Sequence, residues 1–462
     1  MKRFLTTLVT VLLLSTALTV AASASDFDAA AKDLSAIGMF QGTEAGFELD
    51  RAPTRSEAAI MLVRLYGAEE QATADYEAGT ISHPFTDVSD FTSPYVAWLY
   101  TNGLTNGTSA TTFGSASQCS LQQYVVFLLR ALGYEDGKDF AYADALTFAQ
   151  QKGFYDPITF SGDFLRDDLA AVTYQALAAD VKDGSTYLLA SLVKSGAVDA
   201  EAAKPMMEKM EAYRALSAAS AGMDQTAMDA DVALKMGIEM AAEGEKTAMS
   251  LAGEGNIKVI LDDKNLQMAV DMKATVDGET MNTGMWLKDG TLYQSTTLDG
   301  ETTSVKYPLD LEEQLAILES TASTQTAANV SGLAMIDSIS AKTSGGKTVY
   351  TVTMGGGMNA ALQGVMDLIG GESGMDLGQT GLQMDGITAV YTVDSSGKLE
   401  DVQMTFAASM TLDLGEGTAM SIAYDYDIGM KINATGKDVK ITYPDFSGFQ
   451  EVEIPVTEES AA

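Results

Sequence analysis

The sequence predicts an α+β multidomain chain: an all-α helical repeat region, then a curved antiparallel β-sheet domain with covering helices. Two observations carry this. Between residues 25 and 200 a short helical run three times ends at a glycine, crosses a loop containing Phe and restarts at a new helix. From about residue 244 the apolar spacing changes from helical to strictly alternating.

Residues 1–24 read as a secretory signal. Lys2 and Arg3 precede an apolar run from Phe4 to Leu14, and Ala22-Ser23-Ala24 is an A-x-A cleavage site. The run is too short for a transmembrane helix, and no later stretch offers about 18 uninterrupted apolar residues. The chain is therefore expected to be exported and to lack a transmembrane span. With 462 residues it has room for two or three domains. The formal charge of -36 disfavours nucleic acid and anionic membranes as bulk partners. Cys119 and His83 are each the single residue of their kind, which excludes an intramolecular disulfide and multi-His metal sites. Cys119 reads as a buried small hydrophobe and His83 as an ordinary loop residue.

The three units cover about 26–70, 84–135 and 140–195. In the first, Thr54 and Glu57 have the spacing of a capping box, in which each side chain satisfies an orphan N–H of the first turn. Ala58, Met61, Leu62 and Leu65 follow at helical spacing. Arg55 lies in the first turn, where the positive end of the helix dipole gives a cation nothing, so an external anion is its better explanation. Ser120 and Gln123 repeat the box before Tyr124-Val125-Val126, and Asp168 stands three residues after Leu165 in the third unit. Unequal copies of one helix–loop–helix unit bury each other's apolar faces as a repeat array.

These units resemble S-layer homology (SLH) repeats. Phe85-Thr86-Asp87-Val88 and Tyr95-Val96-Ala97-Trp98-Leu99 match the opening of that pattern. Gly38-Met39-Phe40-Gln41-Gly42 and Pro53-Thr54-Arg55-Ser56-Glu57 match its close, and the resemblance covers roughly residues 26–195. The first copy lacks a clear F-x-D-V, the second has Leu121 where the motif arginine stands, and the third has Leu165 in place of Thr. The resemblance implies binding of a secondary cell-wall polysaccharide, often pyruvylated, through Arg55, Asp87, Trp98 and Arg166. The chemistry is consistent: Arg offers a planar fork for a carboxylate, Asp accepts sugar hydroxyls and Trp offers a stacking face. Core packing for Trp98 and a helix cap for Asp87 are the alternatives. Acids outnumber bases more than two to one in 25–200. An anionic glycan must then be met by a few placed donors. The segment from Phe91 to Leu129 carries no charge.

Residues 201–243 read as a helical connector, rich in Ala, Met and Glu and broken near Ser220-Ala221-Gly222. Residues 244–452 read as the sheet domain. Leu266 to Val276, Val402 to Leu414 and Met420 to Ile432 alternate apolar and polar, the mark of strands with one buried face. Asp277-Gly278, Asp289-Gly290, Asp299-Gly300 and Ser396-Gly397 supply tight turns. Two apolar insertions, Leu311 to Met335 and Met358 to Ile369, read as helices over the sheet's apolar face. This architecture resembles the half-barrel of lipoprotein-carrier (LolA/LppX-like) domains, which hold an apolar ligand between sheet and helices. Residues 453–462 form an acidic tail.

The expectation is an exported, non-enzymatic protein without cofactor or metal, anchored at the cell surface by its repeats. The runner-up is a carrier or sensor of an apolar ligand. A third reading is a surface hydrolase using a carboxylate pair such as Asp425 and Asp427, about 7 Å apart on one strand face.

Overall fold

The computed structural model describes residues 27–43, 45–157, 160, 163–224, 226–242, 245–262, 265–276, 278–308, 332–355, 383–413 and 419–452. The leader, the acidic tail and the two apolar insertions, apart from residues 332–335 of the first, lie outside them.

The N-terminal part is helical. The first unit holds α1 (Asp28–Ala36) and α2 (Arg55–Leu65), and α3 (Glu69–Glu77) links it to the second. The second holds α4 (Ser93–Thr101) and α5 (Leu121–Ala131), and the third α6 (Ala145–Gln151), α7 (Arg166–Ala178) and α8 (Leu188–Ser195). Gly38, Gly103 and Gly153 follow α1, α4 and α6 with φ of 73°, 69° and 76°. That left-handed conformation ends a helix at little cost only when no Cβ is present. Leu34, Leu65, Tyr124, Leu128, Leu169, Tyr174 and Leu189 are sealed in one core built by all three units.

The connector differs from the sequence expectation. A single helix, α9 (Ala200–Ala221), capped by Asp199, fills its first half. The second half is already a strand, β1 (Ala227–Ala242). Ala230, Leu234 and Met236 are buried there while Asp231, Ala233, Lys235 and Glu239 are exposed. The period-2 pattern was present but masked by helix-favouring Ala, Met and Glu, whose propensity tertiary pairing overrides.

Eleven further strands follow: β2 (Glu245–Asp262), β3 (Asn265–Val276), β4 (Glu279–Lys288), β5 (Thr291–Leu298), β6 (Glu301–Pro308), β7 (Ile336–Ser344), β8 (Lys347–Met354), β9 (Gln383–Val393), β10 (Leu399–Asp413), β11 (Ala419–Thr435) and β12 (Gln450–Glu451). They form one large, open, curved sheet in the order β12-β6-β5-β4-β3-β2-β1-β11-β10-β9-β8-β7. Two meanders, β1–β6 and β7–β11, join where β1 pairs β11 antiparallel from Met228↔Thr435 to Ala242↔Met420. The pairing is antiparallel except for β12, whose two residues run parallel to β6, making the sheet mixed. Asp289-Gly290 and Asp299-Gly300 have φ of 49°, 73° and 53°, 79°, the positive pair that a two-residue hairpin turn of type I′ requires. On β11, Ile422, Tyr424, Tyr426, Ile428, Met430 and Ile432 turn inward, while Ser421, Ala423, Asp425, Asp427 and Lys431 face solvent.

Two elements tie the halves together. α9 contributes Ala203, Met206 and Met210 to the repeat core and Leu216 and Ala219 to the sheet cluster of Tyr350, Val352, Ala389 and Ile432. Just before β7, Leu333 and Ala334 in a short 3-10 turn enter the repeat core. The sheet's other face is not wholly wet. After β11 the chain crosses it, laying Tyr443, Phe446 and Phe449 around Trp286 and Tyr293, with Phe446 stacked 3.7 Å from Tyr293.

Candidate functional site

The site is built from helix starts. Thr54 Oγ1 accepts the Glu57 N–H at 3.3 Å and Glu57 Oε2 accepts the Thr54 N–H at 2.7 Å. Ser120 and Gln123 close the same reciprocal pair at 3.3 and 3.2 Å. At α7 only half the device remains: Asp168 Oδ2 accepts the Leu165 N–H at 2.8 Å, and Leu165 has nothing to return. The helix starts place the first-turn residues Arg55 and Arg166 against the neighbouring unit.

Arg55 reaches from the first unit to the Phe loop of the second. Its backbone N–H donates to Ser117 O at 2.9 Å and that of Ser56 to Ser115 O at 3.3 Å. Its Nε donates to Phe113 O at 3.2 Å, with the guanidinium 5.1 Å from the Phe113 ring centre. Among the described residues the two terminal guanidinium nitrogens have no hydrogen-bonding partner, and the residue is half-exposed.

Asp87, before α4, reaches across to this loop. It accepts the backbone N–H groups of Phe113, Gly114 and Ser115 at 2.7, 2.7 and 3.2 Å. Desolvation alone would raise its pKa, but these three donors outweigh it and hold the carboxyl below its ordinary value. Asp87 thus fixes the loop that presents Phe113 to Arg55. Trp98 is half-buried in the cluster between α2 and α4, its ring 5.5 Å from that of Tyr66. Ser115 Oγ is buried beside this junction with no partner among the described residues.

Arg166 makes the equivalent reach from the third unit back to the first, closing a ring of units. Its N–H donates to Arg51 O at 2.9 Å, that of Asp167 to Leu49 O at 3.2 Å, and Nε to Phe47 O at 2.9 Å. The contacts match those of Arg55 position for position, so Phe47 corresponds to Phe113, Leu49 to Ser115 and Arg51 to Ser117. Glu48 and Gly114, the loop residues between, both have positive φ, 49° and 83°. The surroundings differ. Arg166 is only 4% exposed at its side chain and stands 4.8 Å over the Phe40 ring. Its Nη1 donates to Glu57 Oε1 at 2.5 Å and its Nη2 to Gln41 O at 3.3 Å. Arg51 grips the same carboxylate twice, at 2.7 and 3.1 Å. Desolvation opposes the Glu57 charge, yet the two guanidiniums and the Thr54 N–H keep it ionised below the usual range. Arg166 is therefore saturated within the protein, and a wall ligand would have to displace Glu57 to reach it.

The second unit has Leu121 at this position, half-buried against the common core. Sequence reasoning missed Glu57 beyond its cap and missed Arg51 altogether. The latter lies in a loop with no periodicity, and only the closing of the ring brings it to Arg166.

The order of Phe85, Asp87, Trp98, the Phe113 loop and the capped α5 decides the family of the second unit. Residues 84–123 match the S-layer homology domain. Such a domain marks a protein anchored at a bacterial cell surface. The match covers the second unit; the first and third share with it the contact pattern described above. No curated protein matches the chain. Among solved structures, the ywiB protein from Bacillus subtilis is 9% identical, with 45% of this chain and 96% of that one covered and a TM-score of 0.13. A DUF1329 family protein from Desulfovibrio piger is 11% identical over 50% and 95%, with a TM-score of 0.16. A putative outer membrane lipoprotein-sorting protein domain from Vibrio parahaemolyticus is 10% identical over 49% and 94%, with a TM-score of 0.15. At these scores the likenesses carry no argument.

His83 and Cys119 stay outside the site. His83 Nδ1 accepts the Phe85 N–H at 3.2 Å, which leaves Nε2 to donate to Ser93 Oγ at 3.2 Å. Burial pushes the Cys119 thiol up to about 12. Among the described residues no cluster of His, Cys, Asp and Glu could hold a metal, and no helix is long and apolar enough to cross a membrane.

Proposed function

We propose that this is a non-enzymatic surface protein that holds an acidic cell-wall polysaccharide mainly through one groove, between its first and second S-layer homology units. The observation that supports this is the unspent guanidinium fork of Arg55, beside a loop that Asp87 holds rigid. A planar fork with two free donors suits a carboxylate such as a pyruvate ketal. In an acidic protein such a contact must be local, because the long-range field repels the polymer. Asp87 and Trp98 support the groove by holding the loop and packing α2 against α4. The test uses the full chain and purified wall polymer, before and after mild acid removal of its acidic substituents. Binding that survives their removal undiminished would sink the carboxylate reading.

A second reading, a carrier of an apolar ligand, draws on Thr283. It lies between Met281 and Met285 on the sheet's apolar face, is buried, and its hydroxyl has no partner among the described residues. An apolar molecule with one polar atom would complement it. Solvent extraction of protein purified from its native host, followed by mass spectrometry, tests this; an empty extract counts against it.

A further inference from the structure

We propose that His83 is a positioning residue for the Arg55 groove, and that the groove keeps its shape only while this imidazole is neutral. The inference rests on the reading of that groove as the polymer's seat, and it adds a control over the grip.

The hydrogen bonds around His83 fix where its proton sits. Ser93 Oγ donates to Ser89 O at 2.9 Å, so toward the ring it can only accept. Nε2, 3.2 Å away, therefore carries the proton. Nδ1 is left bare and accepts the Phe85 N–H at 3.2 Å, closing a turn over Pro84 in the manner of an Asx turn. A second proton has no room: on Nδ1 it would point at the N–H that nitrogen now receives. Desolvation already holds the half-buried ring below its ordinary pKa, against the pull of Asp87. Asp87 is the charged group whose field acts on the ring among the described residues. α4 presents the neutral Ser93 to one edge, and Phe85 covers the face.

From His83 a line of contacts runs to the groove. Phe85 stacks on the imidazole, ring centres 5.6 Å apart. It is buried and stands 5.8 Å from Phe113, the ring that carries the Arg55 guanidinium. Phe85 has little slack: Tyr100 meets it edge-on at 5.5 Å, and it lies against Gly107, where a Cβ has no room. The next two residues hold the loop itself. Thr86 N–H donates to Thr111 O at 3.0 Å, and Asp87 accepts the N–H groups of Phe113, Gly114 and Ser115. A proton on Nδ1 breaks the Phe85 bond. It thereby loosens both the ring under Arg55 and the segment that fixes the loop.

The experiment compares the full chain with His83→Asn. The Asn Oδ1 can stand where Nδ1 accepts, and it does not titrate. Both proteins are measured at pH 7.5 and pH 5, by co-sedimentation with purified walls and by hydrogen–deuterium exchange of the peptide spanning residues 111–117. Acid should weaken wild-type wall binding about fivefold, the scale of one hydrogen bond, and should leave His83→Asn unchanged. Exchange should be equal in the two proteins at pH 7.5 and faster in the wild type at pH 5. Asp168, raised to about 7, is common to both proteins and cancels, as do the polymer's own acids. An equal loss of affinity in both proteins, or none in either, would overturn the proposal. If neither binds walls at any pH, the reading of the Arg55 groove falls. Exchange then decides this inference alone: faster exchange in acid for the wild type supports it, and equal exchange refutes it. Should His83→Asn fold poorly, the wild type decides by nuclear magnetic resonance with labelled His and Phe. The chain has one histidine, so the imidazole reports its own titration. The Phe113 amide must move with the same midpoint; a loop that moves at another pH, or not at all, refutes the coupling.

Discussion

Replacing Arg55 by Ala is the sharpest test of the groove. Two losses follow from the geometry. Inside the protein, the Nε bond to Phe113 O and the guanidinium–ring contact disappear, a cost of about 1 kcal/mol at a half-exposed position. The loop itself should stay in place, because Asp87 still holds Phe113, Gly114 and Ser115 by their N–H groups. Toward the ligand, a charge-assisted contact of about 1.5–3 kcal/mol is lost. At 1.4 kcal/mol per decade, affinity for the wall polymer should fall about ten- to a hundredfold. Arg55→Lys separates charge from shape: the ammonium keeps a point charge but loses the fork, so its affinity should lie between wild type and Ala. The assay is co-sedimentation of the full chain with purified walls over a range of polymer and salt concentrations. Salt screens the Arg55 contact in the wild type and the long-range repulsion in both proteins, so the affinity gap between wild type and variant should narrow as salt rises. Unchanged affinity in a folded Arg55→Ala protein would show that Arg55 is a surface residue only, and the groove assignment would fall with it.

Other outcomes can be checked by folding experiments. Gln175 on α7 is fully buried, and neither amide atom has a partner among the described residues; Gln175→Met should therefore raise stability by about 1–3 kcal/mol, read as a higher denaturant midpoint. A lower midpoint would mean the amide is satisfied in solution. Asp168 is raised to about 7, chiefly by desolvation, with the Leu165 N–H opposing and Asp167 adding. Its folded pKa exceeds the unfolded one, so its contribution is fully present at pH below about 4 and is lost as pH rises through about 7. Asp168→Asn should thus melt higher than wild type at pH 8 and show little advantage at pH 4, and equal effects at both would refute the assignment. Glu57 is depressed, so the stability of its junction should be present at neutral pH and lost as pH falls through its folded pKa; Glu57→Gln should flatten that acid limb. A Cβ on Gly284 would meet the Trp286 ring at 2.2 Å. Gly284→Ala should therefore expel Trp286 from its contacts with Phe446 and Phe449 and red-shift the tryptophan emission, since Trp98 is the only other indole.

What was legible in the sequence was local. Thr54 with Glu57, and Ser120 with Gln123, announced their helix starts because a capping box is closed within four residues. The alternation of Met420 to Ile432 and the Asp-Gly turns announced the sheet for the same reason. What was illegible depended on partners far along the chain. Asp87 spends its carboxylate on a loop 26 residues away. Arg166 meets Glu57 across 109 residues, and nothing local distinguishes it from Arg55. The strand from Ala227 to Ala242 was hidden because Ala, Met and Glu favour helices, and only pairing with β2 and β11 makes it extended.

The helix α9, with one end in the repeat core and the other under the sheet, changes what anchoring means. A display domain on a loose tether would swing freely above the wall. Here the lever is rigid: Met206 and Met210 are clamped at one end, Leu216 and Ala219 at the other, and Leu333 and Ala334 add a second strut. A polymer strand seated at Arg55 would therefore dictate the heading of the whole sheet, and shear on the sheet would arrive at the groove as torque. It also means the parts do not come apart cleanly. A cut at residue 200 would strip the repeat core of Ala203, Met206 and Met210 and leave an oily scar where α9 had been.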